Sequence, residues 1–288
     1  MFLRSFAVML GMLTLGAYPA TVWADVAVPV QTDSEAARAA TLSDLLMIDQ
    51  LISVMRDEGL AYGVEMEAEM FPGQGKAAWK AAVMLIYDAP DMKARFDAAF
   101  AEALAGSQEV GAIEAFFASD LGQRALKLEI EARRTLLDPA AEEAAKAAFA
   151  QMQANGDDRV MALEGFVTAN GLIEANVMGG LNSNLAFYRG LADVGAFQDA
   201  MPEDQMLADV WAQEPDIRGE TTEWLYPYLA LAYKPLSDTD LAAYQAFSET
   251  SAGQAINHAL FAAFDAVFVT VSRDLGRAAA QQMQGQEL

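Results

Sequence analysis

Ala115-Phe116-Phe117-Ala118-Ser119-Asp120-Leu121-Gly122-Gln123 and Ala246-Phe247-Ser248-Glu249-Thr250-Ser251-Ala252-Gly253-Gln254 share one pattern, A-F-x-x-(S or T)-x-x-G-Q. Gly122 and Gly253 set the offset at 131 residues. The same offset pairs Glu109 with Asp240, Val110 with Leu241 and Ala112 with Ala243 without a gap. The pattern describes a helix junction. An amphipathic helix ends on a buried Phe, and a Ser or Thr caps the helix that follows. A Gly in that helix's first turn lets the two backbones approach closely. Two such units in one chain predict an all-α fold, a helical bundle built from two related helical repeats, and argue against a long solenoid.

The rest of the chain agrees with helix. Ala, Leu, Met, Glu and Gln dominate, the residues that lose least on entering a helix, and alternating β-branched runs are scarce. Ser43 or Asp44 is the expected start of the first helix, with Leu45, Ile48, Leu51 and Ile52 on one face. Gly59 and Gly63 weaken its continuation, and Pro72-Gly73 ends the segment. A helix over about 76–87 places Trp79, Val83 and Ile86 inward, and the next begins near Asp91. Asp138-Pro139 pairs a capping acceptor with a residue pre-set for the first turn. In Leu236-Ser237-Asp238-Thr239-Asp240-Leu241, Ser237 caps, Asp240 answers it, and Leu236 clasps Leu241. Asn155-Gly156-Asp157-Asp158 is the clearest internal break. It divides the chain into a repeat at 25–155 and a repeat at 156–288.

The helix junction resembles that of exported bacterial proteins grouped as domain of unknown function 2059. Phe116 to Gln123 and Phe247 to Gln254 carry the resemblance, which covers about half the chain. It implies a helical fold and an exported location. That family supplies no reaction, so no catalytic residue follows from it.

Residues 1–24 have the composition of a cleavable secretory signal. Arg4 is the only charge, an apolar run extends from Phe6 to Leu15, and Val22-Trp23-Ala24 offers small residues at the cleavage positions. Cleavage before Asp25 leaves 264 residues and moves the formal charge from −23 to −24. The expected location is the periplasm. There is no cysteine, so disulfides, thiolate metal sites and a lipid-bearing cysteine are excluded. A hydrophobic fraction of 54% is ample for a packed core. The acidic balance disfavours nucleic acid and anionic lipid as partners. Ala255 to Ser272 is strongly apolar, but Asn257, His258 and Asp265 interrupt it. It is read as a core helix, and no membrane span is expected once the signal is removed.

The search for chemistry returns little. His258 is the only histidine, which excludes a multi-histidine metal site, and no nucleophile or orienting group marks it as catalytic. No catalytic residue, metal ligand or cofactor is predicted. Glu65, Glu67 and Glu69 form a dense acidic run that reads as a solvated face. Gly179-Gly180 lacks the Lys and the preceding strand of a phosphate loop.

Two stretches supply the candidate ligand-binding residues. In the first, Asn182, Asn184, Tyr188 and Arg189 follow a glycine pair. In the second, Trp224 and Tyr226 precede Pro227, which is expected to kink or end a helix there. The leading functional class is an exported, non-catalytic interaction module that recognises an envelope protein. A periplasmic carrier of an apolar small molecule comes next, and a carboxylate-dependent hydrolase third.

Overall fold

The computed structural model describes residues 33–73, 76–197 and 201–285. The expected signal segment lies outside them. Within the described residues the chain is all α-helix with no strand. The helices are α1 (Asp33–Leu45), α2 (Ile48–Met70), α3 (Lys76–Ile86), α4 (Ala89–Leu104), α5 (Val110–Phe117), α6 (Asp120–Thr135) and α7 (Pro139–Asn155). They continue as α8 (Asp158–Ala169), α9 (Leu172–Asp193), α10 (Glu203–Trp211), α11 (Glu214–Tyr233), α12 (Asp238–Ser248) and α13 (Ser251–Met283).

The last helix is the axis of the fold. At 1.5 Å per residue its 33 residues span about 50 Å. It is long and apolar enough to cross a membrane, yet 56% of its most apolar window is buried inside the protein. Its packing against α4 and α9 is that of a core helix, as expected for Ala255 to Ser272. Where α9 crosses it, Gly190 and Gly276 remove the side chains that would hold the backbones apart. A Cβ on Gly190 would overlap the Arg273 carbonyl oxygen, and one on Gly276 would overlap that of Phe187.

Two large cores form around this frame. The first gathers Leu42, Ile52, Trp79, Phe96 and Phe100 around Phe264 and Val267 of α13. The second joins Ala125 of α6, Phe149 of α7 and Phe166 of α8 to Leu229 and Tyr233 of α11 and Tyr244 of α12. Each core therefore draws on both sides of residue 155. The Asn155-Gly156 break is a tight joint: Gly156 takes a φ of 64°, and Asp157 caps α8 by accepting the Arg159 N–H at 2.9 Å.

The two junctions make the same hydrogen bonds. Ser119 Oγ accepts the Gly122 N–H at 3.1 Å, and Thr250 Oγ1 accepts that of Gly253 at 3.0 Å. The Ser119 hydroxyl donates to the Phe116 carbonyl, and that of Thr250 donates to the Phe247 carbonyl, both at 2.6 Å. Gln123 Nε2 donates to the Phe117 carbonyl at 2.8 Å, matched by Gln254 to Ser248 at 2.7 Å. A Cβ on either glycine would strike the preceding helix's backbone. The junctions also meet: the Phe116 and Phe247 rings stack with centroids 3.7 Å apart and planes 3° from parallel. Both rings pack against both cores.

Several boundaries differ from expectation. The first helix starts at Asp33, and Ser43 lies inside it, buried and donating to Asp97 Oδ1 at 2.8 Å. The chain breaks at Met47, in the left-handed region at φ 57°, before α2 begins. Gly59 and Gly63 do not interrupt α2, which runs unbroken through both. They face α3, where a Cβ would clash with Tyr87 and Val83, and the Gly63 carbonyl accepts the Trp79 indole N–H at 2.7 Å. That close packing works against the roughly 1 kcal/mol helix cost of each glycine. Capping by Asp88, which accepts the Asp91 N–H, starts α4 at Ala89 instead of Asp91. Pro227 does not end α11. The carbonyl it leaves unpaired, four residues back, belongs to exposed Glu223. The caps at Ser119, Asp138 and Ser237, the last a full capping box, stand as expected.

Candidate functional site: an acidic cleft and the carboxyl behind it

Four helices leave an open cleft of about 510 Å³ between them. From α2 come Glu58, Tyr62 and Glu65; from α6, Arg133; from α7, Glu142 and Lys146; from α11, Glu220, Glu223 and Trp224. Ion pairs tie its walls together. Arg133, 5% exposed, grips Glu58 with two bonds of 2.7 and 2.9 Å, joining α6 to α2. Burial opposes the Arg133 charge, but Glu58 outweighs it and the guanidinium pKa rises above its ordinary value. Lys146 Nζ lies 2.9 Å from Glu142 and 3.5 Å from Glu223, linking α7 to α11. The Arg133 guanidinium sits 6.0 Å from the centre of the Trp224 ring, at the outer limit of a cation–π contact. Trp224 in turn stacks on Tyr228 at 4.7 Å.

Close to Arg133 on the same helix lies a buried carboxyl. Glu129, one turn before Arg133 on α6, is 7% exposed within the second core. Its Oε1 accepts the Tyr233 hydroxyl at 2.8 Å, its side chain also hydrogen-bonds Tyr244, and its backbone carbonyl accepts the Tyr228 hydroxyl at 3.3 Å. Burial pushes the carboxyl up to about 8, and the phenol hydrogen bonds offset that only in part. Burial also holds the hydroxyls of Tyr228, Tyr233 and Tyr244 well above their ordinary range, so they stay neutral donors. That shift favours the protonated acid at neutral pH, among three neutral phenols. Glu129 does not line the cleft.

The six residues singled out from the sequence are dispersed. Trp224 lines the cleft, while Tyr226 lies against α7, its ring stacked on Phe149 at 5.6 Å. On α9, Asn182 donates to Asp265 of α13 at 3.0 Å, whereas buried Asn184 donates to Gln213 at 2.8 Å. Tyr188 lies parallel to Phe197 at 6.5 Å. Arg189 pairs with Glu203 at the rim of a second hollow of about 390 Å³, shared with Asp193 and Arg273. These four residues reach four different neighbours. His258 is exposed on α13, and no group of three or more His, Cys, Asp or Glu that could hold a metal ion occurs among the described residues.

No motif in the sequence marks Glu129, Arg133 or Glu58 as functional, although the helical spacing carries a signal for two of them. Gly122, Ala125, Leu126, Glu129, Ala132 and Arg133 recur at three-and-four spacing, which places two charges on the buried stripe of α6.

Residues 90–151 match the profile of a family described as "Uncharacterized protein conserved in bacteria (DUF2059)". This is the family whose helix junction the sequence pattern resembles at Phe116 to Gln123. The DUF2059 match runs from the start of α4 through most of α7 and contains the first junction; the second lies outside it. No curated protein and no solved structure matches the chain.

Proposed function

We propose that this protein is an exported, non-catalytic binding module of the cell envelope, built from two related helical units that pair through their junctions. The reading extends the DUF2059 match at 90–151 to a second unit about 131 residues further on. Its support is the matching cap, hydroxyl and glutamine hydrogen bonds of the two junctions and their stacked phenylalanines. The leader-like composition of residues 1–24 supports export to the periplasm.

The recognition surface in this reading is the four-helix cleft, and the partner is another envelope protein. One observation carries it: ion pairs join α6 to α2 and α7 to α11 along its lining, which supports a pre-formed concave surface. Its charged lining suits a polar segment better than an apolar small molecule. The hydrolase alternative calls for a carboxyl of perturbed acidity inside the cleft, whereas Glu129 lies behind it.

The test is a photo-crosslinking amino acid placed at Glu223 in living cells, with exposed Met161, which does not line the cleft, as control. Discrete adducts from position 223 alone, on a processed protein released by osmotic shock, are expected. Equal adducts from both positions would count against the cleft, and unprocessed protein in the cytosol against export.

A further inference from the structure

Glu129 invites a question that binding at the cleft does not answer: why a carboxyl stands in the middle of a core. The 131-residue offset sharpens it, because the position equivalent to Glu129 is Leu260 and that equivalent to Arg133 is Phe264. All four are buried, at 7%, 7%, 5% and 5% exposed respectively for Glu129, Leu260, Arg133 and Phe264. The same stripe of two related helices therefore carries a charged pair in one and an apolar pair in the other.

The groups around Glu129 set what its proton does. From α11 it meets Tyr228 and Tyr233, and from α12 Tyr244. Arg133 on its own helix is committed to Glu58 of α2. The nearby face of α8 brings Phe166, edge-on to both Tyr233 and Tyr244. The cation of α8, Arg159, is bonded to Asp238 and to the carbonyls of Tyr233 and Leu236. Arg133 and Arg159 are thus paired with Glu58 and Asp238, and the side chains hydrogen-bonded to the carboxyl are phenols.

We propose that Glu129 is a proton-operated lock on the seam between α6 and the pair α11–α12. With its proton it is an uncharged member of the tyrosine cluster and the seam is closed. Without it, a carboxylate lies buried in the core among phenols, and the seam loosens. Because α6 and α11 are also two walls of the cleft, the lock sets how firmly the cleft is framed, whether or not the cleft has a ligand.

The direction follows from linkage. The closed seam holds the carboxyl at about 8, and opening returns it towards its ordinary 4.5. The closed state is favoured most below 4.5 and loses that advantage as the pH rises towards 8. Opening then increases about tenfold per pH unit and levels off above that window.

Hydrogen exchange on the purified protein tests this, with each rate divided by that of the unprotected amide at the same pH. Amides of α11 and α12 are expected to be less protected than the buried face of α13, and to lose roughly a hundredfold in protection between about pH 5.5 and 7.5. Glu129→Gln abolishes that slope. A flat wild-type profile, an equal slope in the variant, or seam amides as protected as those of α13 overturns the lock. Should the variant not fold, the infrared spectrum of the wild type decides. A protonated-carboxyl band that persists at neutral pH and vanishes as the pH passes about 8 supports it, and its absence at neutral pH overturns it.

Discussion

Helices α6 and α13 begin alike and end in different chemistry. Both are capped by a hydroxyl bonded to a glycine N–H, both have a glutamine reaching back to the previous helix, and both press a glycine against that helix's backbone. From there Ala125, Glu129, Ala132 and Arg133 run along one buried stripe, against Ile256, Leu260, Ala263 and Phe264 along the other. The apolar stripe lets α13 continue for 33 residues as the axis of the first core. The polar stripe of α6 is satisfied by phenols from α11 and α12 and by Glu58 from α2, so α6 is held by specific bonds as well as by area. A junction of small residues sets how two helices meet, and the stripe beyond it decides what they meet.

The comparison breaks most visibly under pH. Glu129 keeps its proton up to about 8 in the folded chain, against 4.5 when exposed, so stability falls as pH rises through that window. At about 1.4 kcal/mol per unit, the loss is on the order of 5 kcal/mol at most. Urea unfolding at a series of pH values measures it. Glu129→Leu, which installs the residue found in α13, should flatten the profile across that range.

Arg133→Met should leave Glu58 facing the cleft without its guanidinium and cost about 2–4 kcal/mol, less than a fully sealed pair because Glu58 keeps some access to water. At the equivalent position, Phe264→Met should cost under about 1.5 kcal/mol. Similar losses at the two sites, by urea midpoint, would mean that the ion pair adds nothing specific.

Gly122→Ala and Gly253→Ala probe what the helices share. Each new Cβ meets main-chain atoms of the preceding helix, which cannot swing aside. A cost of about 2–3 kcal/mol at both sites is expected. A loss at only one site would end the case for equivalent junctions. Ser119→Ala and Thr250→Ala should each cost about 1 kcal/mol. The smallest effect is the Phe116–Phe247 stack, where a double-mutant cycle with leucine should give a coupling of about 0.5–1.5 kcal/mol.

Much of the fold was legible because it is written in local chemistry. Ser119, Asp138 and Ser237 cap helices by reaching two or three residues along the chain, and such short reach survives in sequence. The misreadings share a cause. Ser43 looked like a cap, but its partner, Asp97, lies on another helix. Gly59 and Gly63 looked like flaws, but they are the bed for Tyr87, Val83 and Trp79. The candidate site was less legible still. Trp224 was found through its proline neighbour, whereas Glu129, Arg133 and Glu58 acquire meaning only when α2, α6, α11 and α12 converge.

The sequence alone determined that the chain is helical, that two of its helix junctions follow one pattern, and that no cysteine or second histidine is available for chemistry. Those properties depend on composition and on spacings of three or four residues. Only the tertiary structure decided that the junctions stack on one another, that each core draws on both halves, and that a carboxyl on an otherwise ordinary stripe is sealed among tyrosines. Burial and partnership across about a hundred residues of chain depend on which helices come together: the pKa of Glu129 is raised by its burial in the second core, and the hydroxyl it accepts there comes from Tyr233, 104 residues further on.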